Sequence, residues 1–259
     1  MKSNSAIRFI GIIPARYASS RFPGKPLAMI GGRSVIERVY RQAAQVLIET
    51  WVATDDERIK LAVNAFGGKV IMTTSSHRSG TDRCAEAATK ITGGENDENT
   101  VIINIQGDEP FIKPEQIRSL MDCFTGIDVM IATLVRKAAP GENLTTPTQP
   151  KVVLSKNMDA IYFSRSVIPF LRDAAPEEWS MKHNYYKHIG LYGYRASTLM
   201  QITRLPQSAL ELAESLEQLR WIENGYRIRC AVTPWESIGI DTPEDLERAE
   251  KMLKQRDNP

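Results

Sequence analysis

Hydrophobic and polar positions along the first half of the chain follow two rhythms. Short apolar runs at Ile7–Ile13, Ile48–Ala53, Lys69–Met72 and Val101–Ile105 read as strands. The last is bounded by turn signals, as expected of a central strand covered on both faces. Between these runs the spacing changes. Val35, Ile36, Val39, Ala43 and Val46 recur at helical intervals and predict an amphipathic helix over Ser34–Leu47. A second helix follows "TDD" and runs to about Phe66, where Gly67 and Gly68 stop it. A third covers Ser79–Thr89, and "TGGENDENT" after it reads as a polar surface loop. Strand–helix alternation of this kind predicts an α/β fold: a mostly parallel central sheet with flanking helices on both faces.

After residue 135 the rhythm is different. Lys137–Pro150 is rich in proline and polar residues and too long for a simple connection, which marks it as a functional loop. Lys151–Ser155 and Asp159–Ser164 read as antiparallel strands turning at Lys156–Asn157. A polar stretch, Arg172–Asn184, then precedes a strand over "YKHIGLYGYR". A helix across Leu210–Ile222, a strand at Arg227–Val232 and a terminal helix to about Lys254 return to the α/β style. The expected organisation is one domain over 1–259 with an inserted β-rich segment at about 136–195.

Composition narrows the partners. A chain of 259 residues can bury a sizeable core, and 25% charged with 42% hydrophobic residues is ordinary for a globular protein. The net charge of +2 carries no face-wide basic excess, so no nucleic-acid partner is expected. Cys84, Cys123 and Cys230 are odd in number and widely separated, which speaks against a disulfide framework or structural zinc and for a reducing compartment. "FIGII" is too short for a signal segment and no apolar stretch approaches a membrane span. The expectation is a cytoplasmic protein with no membrane partner.

Open α/β sheets bind ligands at the carboxyl ends of their strands. Five polar clusters fall there: "PARYASSRFPGK", "TDD", "TSSHRSGTDR", "NIQGDEP" and "GIDTPED". Arg16, Arg21 and Lys25, on a loop stiffened by prolines, suit a polyphosphate better than a merely polar surface. The loop lacks both G-x-x-x-x-G-K-[ST] and G-x-G-x-x-G, which sets aside a P-loop and a nicotinamide-dependent oxidoreductase. Asp108 and Glu109 follow the central strand and Asp241 comes late in the chain; such carboxylates suit Mg²⁺. The alternative for Asp241 is the N-cap of the terminal helix, a place that Thr242 can fill instead. Asp55 and Asp56 read as caps of the helix after them. His188 and Tyr192, four apart on a strand, face one side and converge. On spacing alone Glu214, Glu217 and Gln218 read as a solvated helix face, and His77 has no identifiable partner.

The segments "IIPARYASSRFPGKPL", "ATDD", "HRSGTDR", "VIINIQGDEPFI", "IYFSRSVIPF", "KHIGLYGYR", "LEQLRWIENG" and "GIDTPEDLERA" resemble, in order and over nearly the whole chain, the 3-deoxy-manno-octulosonate (Kdo) cytidylyltransferases. The loop and "QGDEP" are shared in looser form by other sugar nucleotidyltransferases, whereas "KHIGLYGYR" with "LEQLR" is more specific. The resemblance implies a nucleotide-diphospho-sugar transferase-like fold and transfer of CMP from CTP to Kdo, with pyrophosphate released. It implies Arg16 and Lys25 at the triphosphate, and Ser79, Gly80 and Arg83 at the cytosine. It further implies Asp108 and Asp241 on Mg²⁺, and Gln106, Arg165, His188, Tyr192, Glu217 and Gln218 around the acid sugar. A homodimer built on the inserted β segment is implied as well. Two alternatives stay open: a related acid sugar, such as 8-amino-Kdo or a sialic-acid-like compound, and a nucleotide-sensing relative without chemistry.

Overall fold

The computed structural model describes residues 6–18, 21–94, 99–126 and 128–257; the middle of the polar loop expected after the third helix, 95–98, lies outside them. The first half runs β1 (Arg8–Ala15), the hairpin β2 (Met29–Ile30) and β3 (Arg33–Ser34), α1 (Val35–Ala43), β4 (Glu49–Thr54), α2 (Glu57–Ala65) and β5 (Lys69–Met72). Next come α3 (Gly80–Thr92), β6 (Thr100–Asn104), α4 (Pro114–Asp122), β7 (Ile131–Lys137), β8 (Lys151–Leu154) and β9 (Ala160–Ser164). The remainder is α5 (Trp179–Lys182), β10 (Tyr186–Arg195), α6 (Ala196–Ile202), α7 (Ala209–Glu214), α8 (Gln218–Glu223), β11 (Ile228–Val232) and α9 (Pro243–Asp257).

Nine strands form one sheet in the order β11-β7-β10-β6-β1-β4-β5, with β8 paired to β10 and β9 to β8. Pairings β1–β4, β1–β6, β4–β5 and β7–β11 are parallel, so the expected mostly parallel sheet is present. Helices cover both faces. On one, Ile10, Ile12, Tyr192 and Tyr194 pack against Ala87, Leu199, Leu219 and Trp221 of α3, α6 and α8. On the other, Ile13, Ile103 and Leu134 pack against Ile36, Val39, Ile59 and Ile117 of α1, α2 and α4.

Three differences from the sequence expectation have physical causes. β10, read as part of the insertion, lies at the centre of the sheet, antiparallel to both β6 and β7. Its alternation of aromatic and small residues resembles a half-exposed hairpin strand, yet both faces are covered. α4 and β7 are not expected at all; "IATLV" is a short continuous apolar run, which periodicity cannot assign. The single helix expected over Leu210–Ile222 is two, because Ser215 turns to φ 51° between α7 and α8. Tertiary partners hold that break. Arg165 donates Nε to the Glu214 carbonyl at 2.7 Å and Nη2 to the Ser215 carbonyl at 3.1 Å.

Gly193 sits at a tight point of the core. A Cβ there would stand 2.6 Å from Phe124, which packs over β10 from the end of α4. Gly193→Ala is therefore expected to cost about 1–3 kcal/mol of overpacking. Urea unfolding should show a lowered midpoint with an unchanged slope; a native midpoint would mean the helix layer yields freely.

Candidate active site

The loop after β1 is drawn into a closed shape by its own backbone. Gly24 N donates to the Tyr17 carbonyl at 2.9 Å, and Gly24 adopts φ 74°, so a side chain there would be both strained and pressed on the Tyr17 ring. Pro26 then opens one turn of 3-10 helix that starts at Lys25. These constraints aim Lys25 back over the end of β1. From the other side the β6 end closes in: Gly107 lies so near that a Cβ would stand 2.7 Å from the Pro14 carbonyl. The loop before α9 is tied to the same point, because Ile240 N donates to the Asp108 carbonyl at 2.8 Å.

Those three approaches bring together residues 216 positions apart. Lys25 Nζ lies 2.6 Å from Asp108 Oδ2 and 2.9 Å from Asp241 Oδ1. Arg21 Nη2 is 3.3 Å from the other Asp241 oxygen. Burial works to lower the Lys25 pKa, but the charge and hydrogen bond of Asp108, with those of Asp241, outweigh it and hold the ammonium above its ordinary value. Asp241 is free for this role because Thr242 caps α9: its Oγ1 accepts from Asp245 N at 3.2 Å. Of the two readings of Asp241, the cap is excluded.

A cleft of about 270 Å³ opens over this triad. One wall carries Arg16, Arg21 and Lys25; the opposite wall is the start of α3, with Arg78, Ser79, Gly80 and Arg83; Gln106 lies on the floor. Ser79 is the N-cap of α3, and it forms a reciprocal capping box with Asp82. The first turn of a thirteen-residue helix thus faces a cation-walled cleft, an arrangement that favours anions twice over. Arg83 is buried, with Nη1 donated to Thr73 Oγ1 at 2.5 Å and 3.4 Å from Asp55 Oδ1. Asp55 is therefore not a helix cap; Asp56 is, accepting from Arg58 N at 2.9 Å. Arg16 is exposed and forms no hydrogen bond or ion pair among the described residues.

His77 also lines the cleft and, contrary to the sequence expectation, has a partner: its Nε2 meets Glu86 Oε2. Burial would raise Glu86, but Lys90, the Thr74 N–H and His77 together bring it down to about 2. Nothing in a nine-residue spacing signals this pair. Glu109 turns away from Asp108 into a second cleft, of about 260 Å³, that also includes His188, Gly190, Lys187 and Glu236. Burial, with the Asp108 charge adding to it, pushes Glu109 up to about 7.

Of the six residues expected around an acid sugar, Gln106 lines the first cleft and His188 the second, and they are linked: Gln106 Nε2 donates to the Gly190 carbonyl at 3.1 Å. Tyr192, on β10, and Glu217 and Gln218, at the start of α8, are not among the lining residues of these two clefts, although Tyr192 packs on the His188 ring that lines the second. Arg165 is committed to backbone carbonyls at the α7–α8 break, with Nη1 also 3.0 Å from the Pro147 carbonyl. The expected meeting of His188 and Tyr192 holds, with ring centroids 5.3 Å apart, although β10 changes register between Ile189 and Tyr192. Thr133 Oγ1 reaches the Ile189 and Leu191 carbonyls at 3.1 and 2.9 Å and His188 Nε2 at 3.1 Å. Carbonyls only accept, so the hydroxyl proton goes to them. Thr133 therefore accepts from His188 Nε2–H, which leaves Nδ1 unprotonated. Packing between Phe163 and Tyr192 buries the ring and pushes His188 down to about 3.

The sheet and its cation-walled cleft define a nucleotidyltransferase, and the family model described as Cytidylyltransferase matches residues 10–238. A 3-deoxy-manno-octulosonate cytidylyltransferase of Bacteroides thetaiotaomicron is 60% identical over 253 residues, covering 96% of this chain and all of the relative. One of Phocaeicola vulgatus is 59% identical, covering 97% and 99%. Among solved structures, CMP:2-keto-3-deoxy-manno-octonic acid synthetase complexed with CTP superposes with a TM-score of 0.87 at 42% identity, covering 96% of this chain and 99% of that one. The chain belongs to the 3-deoxy-manno-octulosonate cytidylyltransferase family.

The half-buried, neutral His188 makes a pH prediction. Below its ordinary 6.5 the unfolded chain takes up a proton on this ring, while the folded chain does not until about 3. Stability should therefore fall as pH drops through that window, by up to about 1.4 kcal/mol per pH unit, and be unaffected above it. Urea titrations at several pH values should show a shallower acid decline for His188→Gln than for the native chain. Parallel declines would place the ring in contact with water.

Proposed function

We propose that the chain transfers CMP from CTP to the anomeric hydroxyl of Kdo, giving CMP-Kdo and pyrophosphate for lipopolysaccharide biosynthesis. The reading is carried by Asp108, Lys25 and Asp241 meeting in a cleft otherwise walled by arginines. The hydroxyl oxygen bonds to the α-phosphorus and releases its proton to solvent, the bond from that phosphorus to the α–β bridging oxygen breaks, and its electron pair leaves on pyrophosphate. Such a transfer asks the protein for positioning and charge neutralisation more than for covalent chemistry.

The residues answer those two needs. Arg16, without another partner, and Lys25 stabilise negative charge accumulating on the leaving pyrophosphate. Ser79 and Gly80 border the cytosine, with Arg83 held behind them by Thr73 and Asp55. Gln106 commits its amide N–H to Gly190, which leaves Oε1 as an acceptor for sugar hydroxyls. His188 presents an unprotonated Nδ1 in the same region.

Asp108 and Asp241 would hold Mg²⁺. Their oxygens already converge on one cation, the Lys25 ammonium, and carboxylates are the hard donors this ion takes, with substrate phosphate and water completing the shell. No group of three or more His, Cys, Asp or Glu gathers among the described residues, so the donor set suits a substrate-completed ion rather than an all-protein cage. When bound, Mg²⁺ supplies charge neutralisation at the α-phosphate and lowers the pKa of the attacking hydroxyl.

The chain acts as a single domain. Phe170 and Met181, 74% and 61% exposed, support the inserted segment as the contact between two copies in a homodimer. The three free cysteines suit a reducing cytoplasm, and no membrane or nucleic-acid partner is part of the reading; no described helix is long and apolar enough to cross a membrane.

Asp108→Asn and Asp241→Asn should each abolish pyrophosphate release while leaving the chain folded, as read by circular dichroism; near-native turnover in either would remove the metal assignment. Lys25→Ala should lower kcat by on the order of 10²-fold with the KM for Kdo unchanged. Substrate choice is read by pyrophosphate release with CTP against ATP, GTP and UTP, and with Kdo against 8-amino-Kdo and sialic acid. Release with CTP and Kdo alone is expected, and a different preferred sugar would overturn the substrate while keeping the mechanism.

A further inference from the structure

The start of α3 faces two ways. Gly80, its first residue, lines the nucleotide cleft. Thr81, the next, is 4% exposed and turns to the other side, where its hydroxyl donates to Glu217 Oε2 at 2.6 Å. The second oxygen of Glu217 accepts from Arg220 Nη2 at 2.9 Å. Arg220 is itself fixed, with Nη1 donated to the Leu205 carbonyl at 2.9 Å and Nε 3.2 Å from Glu211 Oε2. Both oxygens of this carboxylate are thus held by buried donors.

The surroundings of Glu217 are unusual for a purely structural ion pair. A quarter of its side chain remains exposed, at 26%. Beside it the Tyr192 hydroxyl and Gln218 Nε2 are buried with no hydrogen-bond partner among the described residues. Unpaired polar groups beside an oriented carboxylate are groups that a bound polar molecule would satisfy. Glu217 also follows the Ser215 break between α7 and α8, so the helix itself is interrupted where the carboxylate is presented.

We propose that Thr81 is a positioning residue for the acid sugar: its hydroxyl orients the Glu217 carboxylate towards the substrate's hydroxyl groups, from the same helix start that borders the nucleotide. The proposal rests on the Kdo reading above. An acid sugar brings its own negative charge, so a carboxylate is tolerated near it only if its lone pairs meet hydroxyl donors and its charge is shared. Arg220 shares the charge, and Thr81 sets the direction. A carboxyl torsion is broad and two-fold when nothing fixes it, so without the hydroxyl the group is free to turn. The nucleotide side does not depend on that hydroxyl, because the α3 cap is made by Ser79 and Asp82.

The test uses the full chain with Thr81→Val, which keeps the shape, and Thr81→Ser, which keeps the hydroxyl. Kdo KM and kcat are read from pyrophosphate release and CTP affinity from calorimetry. Thr81→Val should raise the Kdo KM about ten-fold, as loss of one hydrogen bond to a charged group implies, with CTP affinity unchanged. Thr81→Ser should recover most of the loss. A native Kdo KM in Thr81→Val, a parallel loss of CTP affinity, or no rescue by serine overturns the positioning role. Thermal midpoints report folding, and Thr81→Ala replaces Thr81→Val in the same measurements should the valine variant not fold. If the native chain turns over a different acid sugar, the Kdo reading fails alone and the same split is read with that sugar. If it turns over none, both fall.

Discussion

The Lys25 ammonium between Asp108 and Asp241 is the constraint on which the site depends. Each partner arrives on a different element: the loop after β1, the end of β6, and the loop before α9. None would hold its place alone. Two like-charged carboxylates side by side repel, and a half-buried lysine without counter-charge would be drawn towards its neutral form. Together they are mutually satisfied, and the Ile240–Asp108 backbone hydrogen bond locks the late loop to the early one.

The sheet supports that constellation through its mixed direction. Parallel β1 and β6 put their carboxyl ends side by side under the cleft. β10 runs the opposite way between β6 and β7, so the residues that precede its core section, His188 to Gly190, project over the end of β6 and beside Gln106. A parallel strand at that position would put its carboxyl end there and carry these residues to the opposite end of the sheet. The register change between Ile189 and Tyr192, caught by the Thr133 hydroxyl, then brings His188 against Tyr192.

Two walls of the cleft do different electrostatic work. The β1 loop contributes point charges and planar forks on side chains, on a loop without a glycine-rich sequence. The α3 wall contributes a helix start and a rigid, buried Arg83. Behind that wall the chain of Thr81, Glu217 and Arg220 connects the nucleotide side to α8, which gives the region a fixed geometry without a covalent or metal tie.

Much of this was legible in the chain. The apolar rhythm specified β1, β4, β5, β6 and the helices between them, because a strand buried on both faces must be continuously apolar and a surface helix must repeat at its own period. The cations after β1, and the acidic residues after β6 and before α9, stood out by residue type and by their place at strand ends, and they meet in one cleft. Tertiary structure alone decided the rest. Whether Asp241 capped a helix or faced the cleft depended on Thr242 taking the cap. The break at Ser215 depended on Arg165 reaching across from β9, the pairing of His77 with Glu86 on the turn before α3, and the place of β10 on strands far away in sequence. Local pattern fixes which residues want burial, charge or a turn. Which distant group satisfies each of them is settled only when the chain closes on itself.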